Sequence, residues 1–255
     1  MQKYPVQQWR MPAMAWIAIV PFFLTIYSCE KLLDTAPDKL PAELQFEFAI
    51  QGYELLDDKS LPGQENQANQ GRFSIGEGQL AIENIEFDGR RQHGAQQVYF
   101  ISNFPTSFIV NLTPQHSTTD ISFDIPQGNY NMIEITFHLG DDLLPSLVME
   151  GSFQRGNHEP VPVRFEYNYR EQIPVKAKQG GGQPTFVFEK DEVSRAMVQV
   201  DTESLLRLVN FGMLIHAEIA YIDGAEVLLI NENTNHAIFN SISARLSNAL
   251  TLVID

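Results

Sequence analysis

Past residue 41 the chain alternates apolar and polar positions with a period of two. Leu44, Phe46, Phe48 and Ile50 share one parity, with Gln45, Glu47 and Ala49 between them, the pattern of a half-buried strand. Leu80 and Ile82 keep one parity, Ile85 and Phe87 take the other, and the run ends at Asp88-Gly89, so a β-bulge is expected near Glu83-Asn84. Val98 to Phe104 and Ser107 to Leu112 read as two strands split at Pro105. Ile121, Phe123 and Ile125 alternate into Pro126-Gln127-Gly128-Asn129, a turn by composition. Ile133, Ile135, Phe137 and Leu139 then mark one face, with Glu134, Thr136 and His138 on the other. The longest clean alternation is Val161, Val163, Phe165, Tyr167 and Tyr169. Opposite them lie Pro162, Arg164, Glu166, Asn168 and Arg170, and Pro162 suggests an edge position. Thr185 to Phe188 and Ala196 to Val200 add two strands, the first reached across Gly180-Gly181-Gly182, read as a hairpin linker.

Closely spaced strands without intervening helices predict an antiparallel β-sandwich of transthyretin or immunoglobulin-like type. Helical signals appear only near the C-terminus. Asp201-Thr202 is placed to cap a short helix through Val209, with Leu205, Leu206 and Val209 inward. Asn233 to Asn235 precede Ile238, Ile242 and Leu246, four apart on one stripe. Thr251 to Ile254 closes as a strand, and Phe211 to Ile222 fits helix and strand equally.

The N-terminus has a different pattern. Lys3 and Arg10 precede Met11 to Ser28, which carries no charge, and the chain turns polar immediately after Cys29, the sole cysteine. A basic start, an apolar stretch and a small residue before the junction describe a secretory signal. With Ile26 and Ser28 ahead of it, Cys29 resembles the lipobox of bacterial lipoproteins, in which the thiol is acylated and becomes the mature N-terminus. The alternative is an uncleaved membrane span of about twenty apolar residues, against which stand Pro12 and Pro21. The expected layout is a signal over 1–28, a tether over 29–41 and one domain over 42–255. Asp34-Thr35-Ala36 in the tether resembles a short O-glycosylation acceptor, although a solvated linker that happens to contain those residues is the better account. Gln64 to Gln70 reads as a polar surface loop.

Removing the signal takes two bases and no acid, leaving 15 basic against 32 acidic residues, a charge of −17. That balance argues against nucleic acid as a partner and against simple adsorption to an anionic membrane, so the lipid is the anchor.

Tests for chemistry give little. A nucleophile elbow at Ser74 fails at Arg72, and a zincin pattern at His158-Glu159 fails at Pro162. With Cys29 acylated no thiol remains for catalysis or metal binding, and the glycines at 180–182 lack the lysine and helix of a phosphate loop. His93, His116, His138, His158, His216 and His236 are dispersed, so solvent-facing or singly bonded histidines are expected and no metal site is assigned. Asp57-Asp58 and Asp141-Asp142 read as solvated turns. Tyr167 and Tyr169 offer a sugar-stacking face, but their parity with Phe165 favours burial. No catalytic or cofactor-binding residue is assigned, and Cys29 is the one candidate site, for lipidation.

The fragment Phe123-Asp124-Ile125-Pro126-Gln127-Gly128-Asn129-Tyr130, leading to Ile133-Glu134-Ile135, resembles a recurring piece of uncharacterised bacterial envelope β-sandwich lipoproteins. There an I/V-P-x-G-x-Y turn joins two core strands. The stretch Val227 to Leu246 is similar as well. A copper-handling periplasmic group shares a comparable turn, but its metal ligands have no counterpart here. The resemblance covers about a third of the chain, supports the fold and transfers no activity; with the lipobox-type signal, the expected protein is lipid-anchored in the cell envelope, at the outer membrane, without cofactor. It is expected to serve adhesion, assembly or ligand capture with an envelope protein or glycan as partner and no enzymatic step. The second reading is a metal- or glycan-binding accessory lipoprotein, and an enzyme comes third.

Overall fold

The computed structural model describes residues 41–57, 71–92 and 97–255. The signal, Cys29, the tether up to residue 40, the Gln64–Gln70 loop, Asp58 and His93 lie outside the described residues. Strand accounts for 61% of the described residues, so the few helices close the ends of a β core rather than form a layer of their own. In chain order the strands are β1 (Pro41–Ile50), β2 (Tyr53–Leu56), β3 (Arg72–Arg91), β4 (Gln97–Leu112), β5 (Ser117–Pro126), β6 (Gly128–Leu139) and β7 (Leu147–Gln154). They continue as β8 (Val161–Tyr167), β9 (Glu171–Lys176), β10 (Lys178–Gln179), β11 (Phe186–Phe188) and β12 (Val193–Val200). Helices α1 (Thr202–Leu206) and α2 (Phe211–Ile215) follow. Then come β13 (Ala220–Ile222), β14 (Ala225–Ile230), α3 (His236–Ser243), a 3-10 turn at Leu246–Asn248 and β15 (Leu250–Ile254).

Two sheets enclose one core. The smaller runs β10-β15-β12-β1-β5, and the larger, curled into a half-barrel, runs β11-β6-β3-β7-β8-β14-β13 with β2 and β4 on β3 and β9 on β6. The expected alternation is met where one face packs inward: Leu44, Phe46, Phe48 and Ile50 on β1 and Ile133, Ile135, Phe137 and Leu139 on β6 are all buried. The sheets meet through rings, Phe46 and Phe48 standing edge-on to Phe137 at 6.2 and 6.1 Å. Such pairs add about 0.5–1.5 kcal/mol each beyond their buried area.

The larger sheet is organised by β3, which is 20 residues long. On one flank it pairs first with β7 and then with β6; on the other it pairs with β2 and then with β4. Of its three register shifts the one at Arg90/Arg91 adds a residue on β6, and the two that fall on β3 itself are at Ile75/Glu77 and Ile82/Asn84. Each of these two inserts a residue and reverses which parity faces inward. Hence Phe73 and Ile75 are buried, then Leu80 and Ile82, then Ile85 and Phe87. The second shift is the bulge expected at Glu83-Asn84.

The Pro126–Asn129 turn is a corner between sheets rather than a hairpin, because β5 pairs with β1 while β6 pairs with β3. The Tyr130 hydroxyl donates to the Pro126 carbonyl at 2.7 Å, and Arg91 donates to the Gln127 carbonyl at 2.7 Å while lying over the Tyr130 ring. Gly128 has φ +140, which favours glycine, and a Cβ there would come 2.7 Å from the Arg91 guanidinium and push it off the corner.

Several expectations are corrected. The sheets are mixed rather than purely antiparallel, since β1 pairs parallel with β12, β8 with β14, and β10 with β15. These parallel pairs join segments distant in sequence, which period two does not reveal. Pro105 does not split β4: it falls opposite the Ile82/Asn84 shift on an outer strand, where a missing N–H breaks no ladder bond. Strand β8 is not an edge, because β7 and β14 flank Val163 to Phe165; Pro162 precedes the stretch paired to β14. The glycine run at 180–182 passes from β10 in one sheet to β11 in the other and is no hairpin. The segment Phe211–Ile222 divides into α2 and β13.

Helix α1 starts as expected, with the Asp201 carboxylate accepting from the Ser204 N–H at 2.8 Å and Leu205, Leu206 and Val209 buried. At α3, Asn235 occupies the cap position in a left-handed conformation but gives no side-chain cap. Its amide group instead joins Glu218 and Leu229, accepting from the Glu218 N–H and donating to both carbonyls. Ile238, Ile242 and Leu246 form the buried stripe, with Phe239 beside them.

Candidate functional site

The first bulge of β3 shapes an open surface groove. Where β3, β7 and β8 run side by side, their outward face bears an open groove of about 600 Å³. Ser74, Gly76 and Glu77 supply one wall, Glu150 and Ser152 the floor, Pro162 and Arg164 the other wall, and Val227 an apolar lip. Two glycines let the strands close up on either side of the bulge. A Cβ on Gly151 would lie 1.8 Å from the Ser74 carbonyl oxygen, and one on Gly78 would lie 2.3 Å from that of Val148. The shift then carries the chain from Ser74 to Glu77 with both side chains outward.

The polar groups of the groove are held in place. The hydroxyls of Ser74 and Ser152 share a hydrogen bond of 2.9 Å in which either is the donor. Arg164 is forked between two carboxylates, donating from Nη1 to Glu150 at 2.5 Å and from Nε to Glu166 at 2.6 Å. Glu166 accepts in turn from Asn231, whose side-chain oxygen accepts the N–H groups of Asn233 and Thr234. Arg164 is thus oriented by a chain of contacts reaching the loop before α3, an arrangement that fixes a planar donor. Chemically the groove offers two hydroxyls, two carboxylates and an anchored guanidinium beside the apolar Pro162 and Val227. Ser74 sits on an extended strand with Ser152 as its partner, which is the opposite of an exposed elbow.

A second polar cluster lies further along β3. His138 Nε2 and Glu86 are 2.6 Å apart, the Tyr99 hydroxyl donates to the other Glu86 oxygen, and Arg170 bridges Glu83 and Asp142 at 2.7 Å each. A hollow of about 400 Å³ opens between His138 and Arg170. Asp141 caps its own turn: the N–H groups of Leu143 and Leu144 donate to its carboxylate and hold it below the usual carboxylate range. That agrees with the solvated-turn reading of the 141–142 doublet.

Of the other residues weighed as sites, His116, His158, His216 and His236 are exposed and far apart in sequence. Among the described residues no three His, Cys, Asp or Glu side chains come together as a metal group, and no helix is long and apolar enough to cross a membrane. Tyr167 is buried, stacked on Phe239 and donating to Glu171; burial and the Glu171 carboxylate raise its pKa. Tyr169 is 52% exposed, against expectation, because the chain leaves the sheet after Tyr167 and strand parity no longer governs it. The sequence reading missed the groove because Arg72 to Gly76 was weighed only as a catalytic turn. The change of parity between Phe73/Ile75 and Leu80/Ile82 was the available signal.

No protein-family model, no curated protein and no solved structure matches this chain.

Proposed function

We propose that this is a lipid-anchored, non-enzymatic protein of the cell envelope, held at the outer membrane through acylated Cys29 and acting by ligand capture. The anchor rests on sequence: one cysteine, placed where an uncharged stretch turns polar. Two or more acyl chains on such a residue suffice for stable attachment, and a mature charge of −17 offers no other route to an anionic surface. The immunoglobulin-like character of the sandwich is supported by Tyr130, whose hydroxyl reaches back four residues to a backbone carbonyl in the manner of a tyrosine corner.

Among adhesion, assembly and capture, the observation that favours capture is the groove at the β3 bulge, where Arg164 and the Ser74–Ser152 pair are pre-positioned on strands rather than on loops. Preorganised donors lose little freedom on binding. The same chemistry favours the glycan form of the second reading, since hydroxyls, carboxylates and a planar donor beside an apolar lip suit a polyhydroxylated ligand. A thermal-shift screen of the full chain in detergent, with neutral and amino-sugar oligosaccharides and short peptides, tests the proposal. The hits are then titrated against Ser152→Ala and Arg164→Gln. Affinity at least ten-fold weaker in both variants, with unchanged circular dichroism, is expected. An empty screen, or hits indifferent to both substitutions, refutes it.

A further inference from the structure

Strand β4 is the feature that ligand capture leaves unused. From Gln97 to Phe108 its backbone has partners on β3 alone among the described residues, so no described strand lies along its other side. Over its 16 residues it carries no charged side chain, in a chain of net charge −15. Its outward row, Gln97, Tyr99, Ile101 and Asn103, is uncharged, with Tyr99 55% and Ile101 44% exposed. Proteins usually guard such an edge with charge, brevity or proline. The other edges here are guarded: β5 carries Asp120 and Asp124, β9 carries Glu171 and Lys176, β2 carries Glu54, and β10, β11 and β13 have three residues or fewer. On β4 the only guard is Pro105, which leaves Val98 to Phe104 uninterrupted.

We infer that two copies of this chain join edge to edge through Val98–Phe104 of β4, antiparallel about a two-fold axis at Ile101. That pairing sets Ile101 against its own copy and Tyr99 against Asn103, and it continues the larger sheet of one protomer into that of its partner. Charge selects this occupant. Two molecules this acidic repel wherever their carboxylates face each other, but across a β4–β4 seam the nearest β3 acids, Glu86 and Asp88, stand three strand spacings apart. At about 4.8 Å per spacing their backbones are about 14 Å apart, against a screening length of about 8 Å at physiological salt, and the Glu86 and Asp88 carboxylates accept from Tyr99 and Gln97 of their own protomer. An uncharged strand also gives a basic partner nothing to pair with. The seam goes beyond the groove reading and uses none of its residues, so either can fail alone.

Photo-crosslinking tests it. The full chain bearing Tyr99→p-benzoylphenylalanine is prepared in light- and heavy-isotope forms, mixed in a large excess of empty detergent micelles, and irradiated. Light–heavy crosslinks with both ends within residues 97–104 are expected. Ile101→Lys and Asn103→Lys, both on the exposed row, should lower their yield at least ten-fold while circular dichroism is unchanged. Tyr221→Lys, on the short β13 edge, should leave the yield as it was. The proposal is overturned by crosslinks to detergent alone, by light–heavy crosslinks ending elsewhere on the chain, or by a yield insensitive to both lysines. Repeated in cells, crosslinks solely to a different protein would equally overturn it.

Discussion

The corner at Tyr130 makes a quantitative prediction about what joins the two sheets. The ring is fully buried, edge-on to Phe188 at 5.3 Å and to Phe87 at 6.2 Å, and its hydroxyl donates to Pro126 at 2.7 Å. Pro126 lies opposite Pro41 in the β1–β5 pair, and a proline has no N–H to offer in replacement. Tyr130→Phe keeps the ring contacts and deletes only the donor, leaving a carbonyl short of its partner. Such a loss costs about 1–3 kcal/mol, a large share of the roughly 5–15 kcal/mol that holds a domain folded. Tyr99→Phe is the matched comparison: the same atom is removed from an exposed hydroxyl, and a change within about 0.5 kcal/mol is expected. Urea unfolding at neutral pH reads both, provided the slope with denaturant is unchanged. The pH dependence adds a second check. Burial pushes the Tyr130 phenol up to about 12, against the pull of Arg91. Between its ordinary value of 10.0 and that value the unfolded chain ionises and the folded one does not, so its contribution to stability falls as pH rises. Tyr130→Phe lacks this term, and the gap between it and the parent protein should narrow from pH 10 to 12. Equal midpoints for Tyr130→Phe and Tyr99→Phe would refute the corner's role.

Phe165, 1% exposed and stacked on Phe239 at 5.9 Å, should lose about 3–5 kcal/mol on Phe165→Ala, read by the same unfolding assay; a loss below 1 kcal/mol would place it outside the core. Its neighbour Glu166 is no neutral comparison, since it holds Arg164 at 2.6 Å, so the exposed Val187 is the better reference. Cys29→Ser should abolish palmitate labelling and leave the chain soluble or unprocessed, and a cleaved species still fractionating with membranes would sink the lipid anchor.

The sequence disclosed which face of a strand is inward far better than which strand lies beside it. Period two reports burial on one side, and that is a local property: Phe46, Phe137 and Phe165 all lie where their parity places them. Pairing is not local. Glu43 lies opposite Val193 in the parallel β1–β12 ladder, and nothing in either segment names the other. The prolines were misread for the same reason. Pro105 and Pro162 announce that an N–H is missing, but whether that interrupts a strand depends on which neighbour would have received it. Tyr169 shows the limit from the other side, since parity no longer predicts burial two residues past the end of its strand. The site was harder still to see, because Ser152 and Arg164 meet Ser74 only once β7 and β8 have been laid beside β3.

The two bulges of β3 connect these points to function. A strand with a single unbroken parity could not bury Phe73 and Ile75 together with Leu80 and Ile82, because one slip turns every later side chain to the opposite face. With two slips the strand returns to its first parity, and Ile85 and Phe87 face the core again. The stretch between the slips is where β7 gives way to β6: Leu80 pairs with Leu147 and Ile82 with Leu139. The first slip therefore serves two ends at once. It lets one long strand serve successive partners as the larger sheet curls, and it turns Ser74 and Glu77 outward together against Ser152 and Glu150. The groove is then a consequence of how the half-barrel bends, which is why it is built on strands and why Gly151 and Gly78, with no room for a Cβ, sit on either side of the first slip.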